Sequence, residues 1–544
     1  LFEDDDSGVA GMAISGSGLL YITKPSLGAI KVINADGSLL KTFAIDGSPW
    51  SVSIDVLGRA FVTDFNNSTI AVLDDMGTKI QTLSFGNDVA PSDVFVAGDG
   101  AVYVPYLSSF GGYIGVLKAA ATTIGATQVG DPITGGELGA QAGPVILGDY
   151  IIQVATKANS ATGVPTTTIG IYDHNGTSTT VEAPGEAFGT LQIGANGVAY
   201  QTVTYVDRTT ASHQSGVLAV TTGGVRTFTG LFSGAPVGSV VFGGDGTAYQ
   251  VLYSQDLETG DYTTSVIAIG IGGVSTYPID GMPGSPVAGT VNAVVAPDGT
   301  VYLTTTTGLD FGVPVDPMTT VSVLGATGAV SHTTAGFAGG GVSVAPDGSV
   351  FQSIGFTEVD VVTGLDSYKS AVAALTEVGL QLLPDLVTGL PIGSLSFNPD
   401  GRAFQTVVTF DLDLQPDTVT ASTGVATLTP TGLGYAVDPV AGIPKGADGS
   451  WIPITVGADG TVYQTISDAA DSSGPSTTVL VIRPNGSITP FTFGGQPVGS
   501  ATIGADYVGY QTTYDQNANV TRIAVIGQHS DDVHEFEGTP TNGS

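Results

Sequence analysis

The chain is 544 residues long, with 14 basic against 49 acidic residues for a formal charge of −35, 79 glycines, no cysteine and only 12% charged residues. That acidity repels nucleic acid and anionic lipid and leaves cations, neutral glycans and basic proteins as the electrostatically permitted partners. The missing cysteine removes disulfides, thiolate metal sites and thiol nucleophiles.

Such a length exceeds one ordinary core, and a composition rich in Gly, Thr, Val and Ser suits many short strands joined by turns, so an all-β repeat protein is expected. No apolar run approaches the roughly 20 residues that span a bilayer, so no membrane insertion is expected. The chain begins at Leu1 without a methionine, which is read as the start of a processed or excised, exported piece, either secreted or held in the cell envelope. The acidic run Glu3-Asp4-Asp5-Asp6 that follows reads as a solvated end.

From there a hairpin turn recurs at Gly16-Ser17-Gly18, Leu57-Gly58, Asp99-Gly100, Gly148-Asp149, Asn196-Gly197, Asp245-Gly246, Asp298-Gly299, Asp347-Gly348, Asp400-Gly401, Asp459-Gly460 and Ala505-Asp506. Asp-Gly and Asn-Gly between apolar segments supply the positive φ of a tight hairpin. Each turn leads into a strand such as "TAYQVLY", a polar loop, a third strand such as "TTSVIAIG" and a fourth beyond a glycine turn. Units close on Gly-x-Pro, as at Gly47-Ser48-Pro49, Gly234-Ala235-Pro236, Gly284-Ser285-Pro286, Gly389-Leu390-Pro391 and Gly495-Gln496-Pro497. Four antiparallel strands repeated in tandem are the pattern of a β-propeller blade. The expected fold is therefore an all-β propeller of about eleven four-stranded blades, in one wide ring or in two fused rings of four plus seven or five plus six, with one continuous ring preferred because no Pro/Ser-rich linker interrupts the array.

Residues 1–142 hold three short units with Tyr21-Ile22-Thr23, Phe61-Val62-Thr63 and Tyr103-Val104-Pro105 in the second strand. On these residues, and on the rhythm of "LYITKPSLGAIKVINADGSLLKTFAIDGSPWSVSID", residues 8–118 resemble the YVTN family of propeller repeats, related in blade pattern to NHL and lactonase-type propellers. Residues 143–540 hold eight longer units whose second strand reads aromatic-Gln-Thr, placing Gln153, Gln201, Gln250, Gln352, Gln405, Gln464 and Gln511 at one repeated position, while Tyr302-Leu303-Thr304 lacks the amide. In style these units are similar to propeller segments of large mycobacterial secreted or envelope proteins, and residues 541–544 read as a tail or linker to a neighbouring domain of a larger surface protein.

Alternation along a strand puts Tyr463 and Thr465 on one face and Gln464 on the other. The glutamines are expected to bond backbone or one another between blades, since buried amides are almost always paired; the competing reading lines a central channel with them. An amide exchanges no useful proton near neutrality, which argues against catalysis by these residues. The loops between second and third strands carry the acids Asp256, Glu258 and Asp261; Asp310 and Asp316; Glu358, Asp360 and Asp366; Asp411, Asp413 and Asp417; Asp468 and Asp471. They would gather on one rim, either as a solvated face that keeps the protein soluble or as oxygen ligands for a hard cation such as Ca2+. His529, Asp531, Asp532 and His534 lie close enough in sequence for a metal but sit at the last hairpin, His174 lies at a hairpin tip, and His213 and His332 read as structural. Trp50 and Trp451, just before first strands, could stack on a sugar or fill core.

No Gly-x-Ser-x-Gly elbow, His-x-x-x-His pair or Walker-type loop is present. The resemblance to lactonase-type propellers implies a channel metal held by acids and His, but no residue set here matches one. The sequence thus points to a non-catalytic secreted or cell-envelope propeller that binds a protein or glycan or acts as a spacer, with a metal-dependent hydrolase or lyase as the alternative.

Overall fold

The computed structural model describes residues 10–537 apart from short stretches, the longer being 97–101, 129–136, 139–144, 158–163, 360–365, 469–473, 504–508 and 527–532. Among the described residues no α-helix occurs, and the one helical segment is the 3-10 turn Pro25–Leu27. Eleven antiparallel sheets follow one another along the chain, each built of consecutive strands. The chain is an all-β protein of β-propeller blades, numbered 1 to 11 below. Blade 10 shows the pattern: Thr455–Val456, Val462–Asp468, Ser476–Ile482 and Ile488–Gly494 pair in that order.

Two compact units divide the chain, Leu1–Phe232 with blades 1 to 5 and Ser233–Gly543 with blades 6 to 11. The division falls inside the run of longer repeats and not at 142, where repeat length changes. No linker marks it because the chain passes from blade 5 to blade 6 through the same short glycine connection, Gly234-Ala235-Pro236, that joins other blades.

The Asp-Gly hairpins form, with positive φ carried by the glycine alone. In blade 6 the N–H of Gly246 donates to Gly243 O (2.9 Å) and that of Gly243 to Thr247 O (2.9 Å). This is a three-residue loop, a type I turn closed by one left-handed residue. Gly246 alone takes positive φ (+80°), while Asp245 Oδ1 accepts the N–H of Thr247 (2.9 Å). The same geometry recurs at Gly299, Gly348 and Gly460, each with its preceding Asp reaching two residues forward. The turns at 99–100, 148–149 and 505–506 lie outside the described residues.

A bulge interrupts the first strand. Register slips between Phe188 and Gln192, Val237 and Val241, and Ile392 and Ser396, around Gly189, Gly238 and Gly393 at positive φ. In blades 3, 4, 7, 8 and 11 the strand is split into two pieces that both pair the second strand. Pro236, Pro391 and Pro497 are tolerated there because the first strand is the edge of its sheet and needs no second ladder partner.

Within each unit, core forms where successive sheets stack. Phe404 and Val425 of blade 9 pack with Ile454, Val462, Ile466 and Leu480 of blade 10, whose other face gives Tyr463, Val479 and Val481 to Ala501 and Ala524 of blade 11. Strands buried on both faces need apolar residues at nearly every position, so the second strands read as continuous hydrophobic runs broken by Gln and Thr.

Candidate functional site

The repeated glutamines lie between sheets. All seven are at most 3% exposed, so they line no open channel. Gln405 shows what holds them: its Nε2 donates to Ile392 O (2.9 Å) and Gly393 O (3.2 Å), the carbonyls that the bulge frees, and to Thr406 O (3.1 Å). Gln201 and Gln250 make the same three contacts around Gly189 and Gly238. These three amide groups thus replace ladder partners that a distorted edge strand has lost.

The amide oxygen faces the preceding blade. Thr304 Oγ1 donates to Gln352 Oε1 (2.7 Å), Thr465 Oγ1 to Gln511 Oε1 (2.6 Å), and Thr406 Oγ1 to Gln464 Oε1. At these three junctions a hydroxyl one residue after the Gln position clasps the amide of the next sheet, whereas between blades 8 and 9 Ser353 Oγ and Gln405 Oε1 are both buried without a hydrogen bond. In the short blades the hydroxyl reaches backbone directly: Thr23 Oγ1 donates to Trp50 O of blade 2 (2.8 Å) and accepts the N–H of Gly11 (2.7 Å). Glutamine is the longer reach required in the later blades. Where blade 7 has Leu303 in place of Gln, blade 6 has Val251 in place of Thr, and the two pack in one buried cluster. Where Val154 precedes Gln201, the Gln201 Oε1 is buried without a hydrogen bond, and Val154 lies in the core with Ala199 and Val203 that flank it. Val154→Thr is therefore expected to leave stability unchanged or raise it, while Val251→Thr, which buries a hydroxyl against Leu303, lowers it by about 1 to 3 kcal/mol. Equal losses in the two variants, read by chemical denaturation, would refute the clasp.

A second repeated bond was not anticipated from sequence. The glycine that joins blades donates its N–H to the third strand and accepts from a hydroxyl two residues further along it. Thr167, Thr264, Thr319, Ser370, Thr423 and Thr477 donate to the carbonyls of Gly185, Gly281, Gly336, Gly389, Gly442 and Gly495 at 2.7 to 2.8 Å. The joining residues of blade 7 are therefore Gly281-Met282-Pro283, and the expected Gly284-Ser285-Pro286 lies one turn beyond. Its signal in sequence is a Thr or Ser 17 to 19 residues before each glycine.

Antiparallel pairing puts these glycines and the acidic loops at the same end of each blade. Of the predicted loop acids, Asp256 is spent on its own turn, accepting the N–H groups of Glu258 (2.8 Å) and Thr259 (3.2 Å), with Glu258 exposed at the tip. Glu358 pairs with Lys369 at 2.8 Å. Asp468 is half-buried at the end of its strand, opposite Ser476. Asp261 differs: with Asp280, Tyr262, Thr306 and Thr307 it lines a groove of about 300 Å³ between blades 6 and 7. A groove of about 380 Å³ at the equivalent place between blades 8 and 9 is lined by Tyr368, Thr388, Thr409 and Phe410, with the two rings edge to face at 6.5 Å. Among the described residues no three acid or His side chains converge as a metal-ligand set. Asp360, Asp417, Asp471, His174, His529, Asp531 and Asp532 lie outside those residues, as do the side chains of Asp310, Asp366, Asp411, Asp413 and His534, which sit in strands or at their ends.

The two tryptophans differ. Trp50 is half-exposed beside Phe65, centroids 6.2 Å apart. Trp451 belongs to a small hairpin inserted before the first strand of blade 10 and donates Nε1–H to Val287 O of blade 7 at 3.1 Å, under Lys445 Nζ at 4.5 Å from the ring. Val287 sits on an inserted hairpin too, between Gly284 and Thr290. Trp451 is thus a clamp between insertions three blades apart.

No family model matches the chain, and no curated protein matches it. Solved structures similar to it include virginiamycin B lyase from Staphylococcus aureus (TM-score 0.29, 16% identity, 55% of this chain and 92% of that one) and BamB from Moraxella catarrhalis (0.30, 12%, 61% and 84%). A further one is a nidogen/laminin complex (0.27, 17%, 42% and 80%). At these values no activity is carried from them to this chain.

Proposed function

We propose that the chain is a non-catalytic interaction module of YVTN-like propeller blades, acting in secretion or at the cell envelope, which takes a basic, extended protein segment at the rim shared by the joining glycines and the loops between second and third strands. The observation that carries this reading is the groove between blades 6 and 7, where Asp261 and Asp280 flank Tyr262 and Thr307. Two carboxylates beside an aromatic ring suit a Lys or Arg side chain on an extended backbone, and the net charge of −35 steers such a partner in. The related groove lined by Tyr368 and Phe410 supplies a second, more apolar seat along the same rim of this unit. The glutamines take no part, because their amides are consumed in holding blades together.

The test is binding of a Lys-rich peptide, measured by calorimetry at physiological ionic strength. Asp261→Asn with Asp280→Asn is expected to weaken it at least fivefold. Asp256→Asn with Glu258→Gln removes the same charge outside the groove and is expected to change it less than twofold. Equal losses in the two double variants would reduce the interaction to bulk charge and defeat the proposal. A stoichiometric metal in the purified protein, lost together with a hydrolytic activity on chelation, would favour the enzyme reading instead.

A further inference from the structure

Blades 9 and 10 form a third cleft, of about 190 Å³, between their strand-connecting turns at the end opposite the acidic loops. Its chemistry is the reverse of the rest of the molecule. Arg402, from the turn of blade 9, and Arg483, from the outer turn of blade 10, both line it, two of only 14 basic residues in a chain with 49 acids. Among the described residues neither guanidinium has a carboxylate partner. Arg402 Nη1 makes a long contact to Pro484 O (3.5 Å), and Arg483 Nη1 donates to Thr489 Oγ1 (2.8 Å), which leaves most of their donors free. The nearby Asp459 is already held by the N–H (2.9 Å) and hydroxyl (2.7 Å) of Thr461, and Asp400 is an exposed turn residue.

The third polar group is Asn398, 1% exposed and also lining the cleft. Its Oδ1 accepts the N–H of Arg402 (2.8 Å), which fixes the amide, and its Nδ2 lies beside the cleft-lining Gly460. Two guanidinium groups without a carboxylate partner beside an amide held in place make a seat for an anionic group. The remaining walls are apolar, with Phe404, Ile482 and Pro484.

We infer that this cleft binds the carboxylate of an acidic sugar residue, with Arg402 and Arg483 as the charged forks and Asn398 Nδ2 as the neutral donor. A planar carboxylate matches guanidinium geometry, and the apolar wall suits the C–H face of a pyranose. The site lies at the other end of the blades from the proposed protein groove, so it stands or falls independently of that reading.

The experiment is thermal denaturation of the full chain with glucuronate, against sodium chloride of equal ionic strength, since screening alone stabilises so acidic a protein. A concentration-dependent rise in Tm above the chloride control is expected, absent with glucose and lost in both Arg402→Gln and Arg483→Gln. Both variants alter side chains at the protein surface, and unchanged circular dichroism verifies their fold. No rise above chloride, or a rise that persists in both variants, would overturn the site. Equal rises with acetate, sulfate and glucuronate would overturn the assignment of the ligand as a sugar acid.

Discussion

Replacing Gln464 by Leu is expected to destabilise the six-blade unit by about 1 to 3 kcal/mol. The substitution strands three groups at once. Ile452 O and Thr465 O lose the amide N–H (3.4 and 3.0 Å), and Thr406 Oγ1 loses its acceptor in a site with no solvent access. Thr406→Val alone is expected to fall in the same range, because it leaves Gln464 Oε1 without a donor. The double variant Thr406→Val with Gln464→Leu is the decisive measurement. The protein already contains that apolar solution at Val251 and Leu303, so the double variant is expected to lose less than the two single losses summed, with a coupling of about 1 kcal/mol or more. Additive losses in urea denaturation would mean that the hydroxyl and amide act separately and that the sheets are not clasped through them.

Gly281→Ala is expected to cost more, roughly 3 kcal/mol or above. Gly281 joins blade 6 to blade 7 at φ +98°, and a Cβ there would lie 2.5 Å from Thr306 O. An L-residue in left-handed backbone costs about 1 to 2 kcal/mol, and overpacking against fixed backbone adds about 1 to 3 kcal/mol. The shift would also pull Gly281 O away from Thr264 Oγ1, 2.7 Å distant. Gly246→Ala separates the two contributions. Its φ is +80° and a Cβ would meet nothing within 4 Å, so only the conformational loss of about 1 to 2 kcal/mol remains. Equal effects in the two variants would show that the joining glycine is chosen for its φ alone and not for the close approach of neighbouring blades.

Much of the blade is legible in the chain because its determinants are local. Asp245-Gly246 and its equivalents announce a hairpin, and the only revision is that Asp245 stays at negative φ while glycine alone turns left-handed. The alternation Tyr463, Gln464, Thr465 assigns faces correctly. What alternation could not say is that Gln464 serves the strand 12 residues before it as well as Thr406, 58 residues before it. The bulge that demands the amide leaves only a glycine as its mark, and glycine is common throughout this chain. The hydroxyls that hold the joining glycines were missed for a related reason. Thr264 and Thr477 stand in Thr-rich strands where no single Thr is distinguished by its neighbours.

The acidic loops show the limit most clearly. Asp256, Glu258 and Asp261 lie within six residues of one loop, yet one builds the turn, one points to solvent and one lines a groove with Asp280. Arg402 and Arg483, unremarkable in sequence, stand 81 positions apart and become neighbours only when sheet stacks on sheet.

By itself, then, the amino-acid sequence determined the all-β character, the eleven-fold repeat, the hairpins and the face on which each side chain lies, since backbone dihedral preferences and a period of two act over a few residues. Only the tertiary structure decided that the units divide five and six, that Thr clasps Gln between blades 7 and 8, 9 and 10, and 10 and 11, and that two arginines and a buried amide share one cleft. Those pairings depend on how neighbouring sheets stack, and stacking is set by the burial of both faces of every blade at once, which no short stretch encodes.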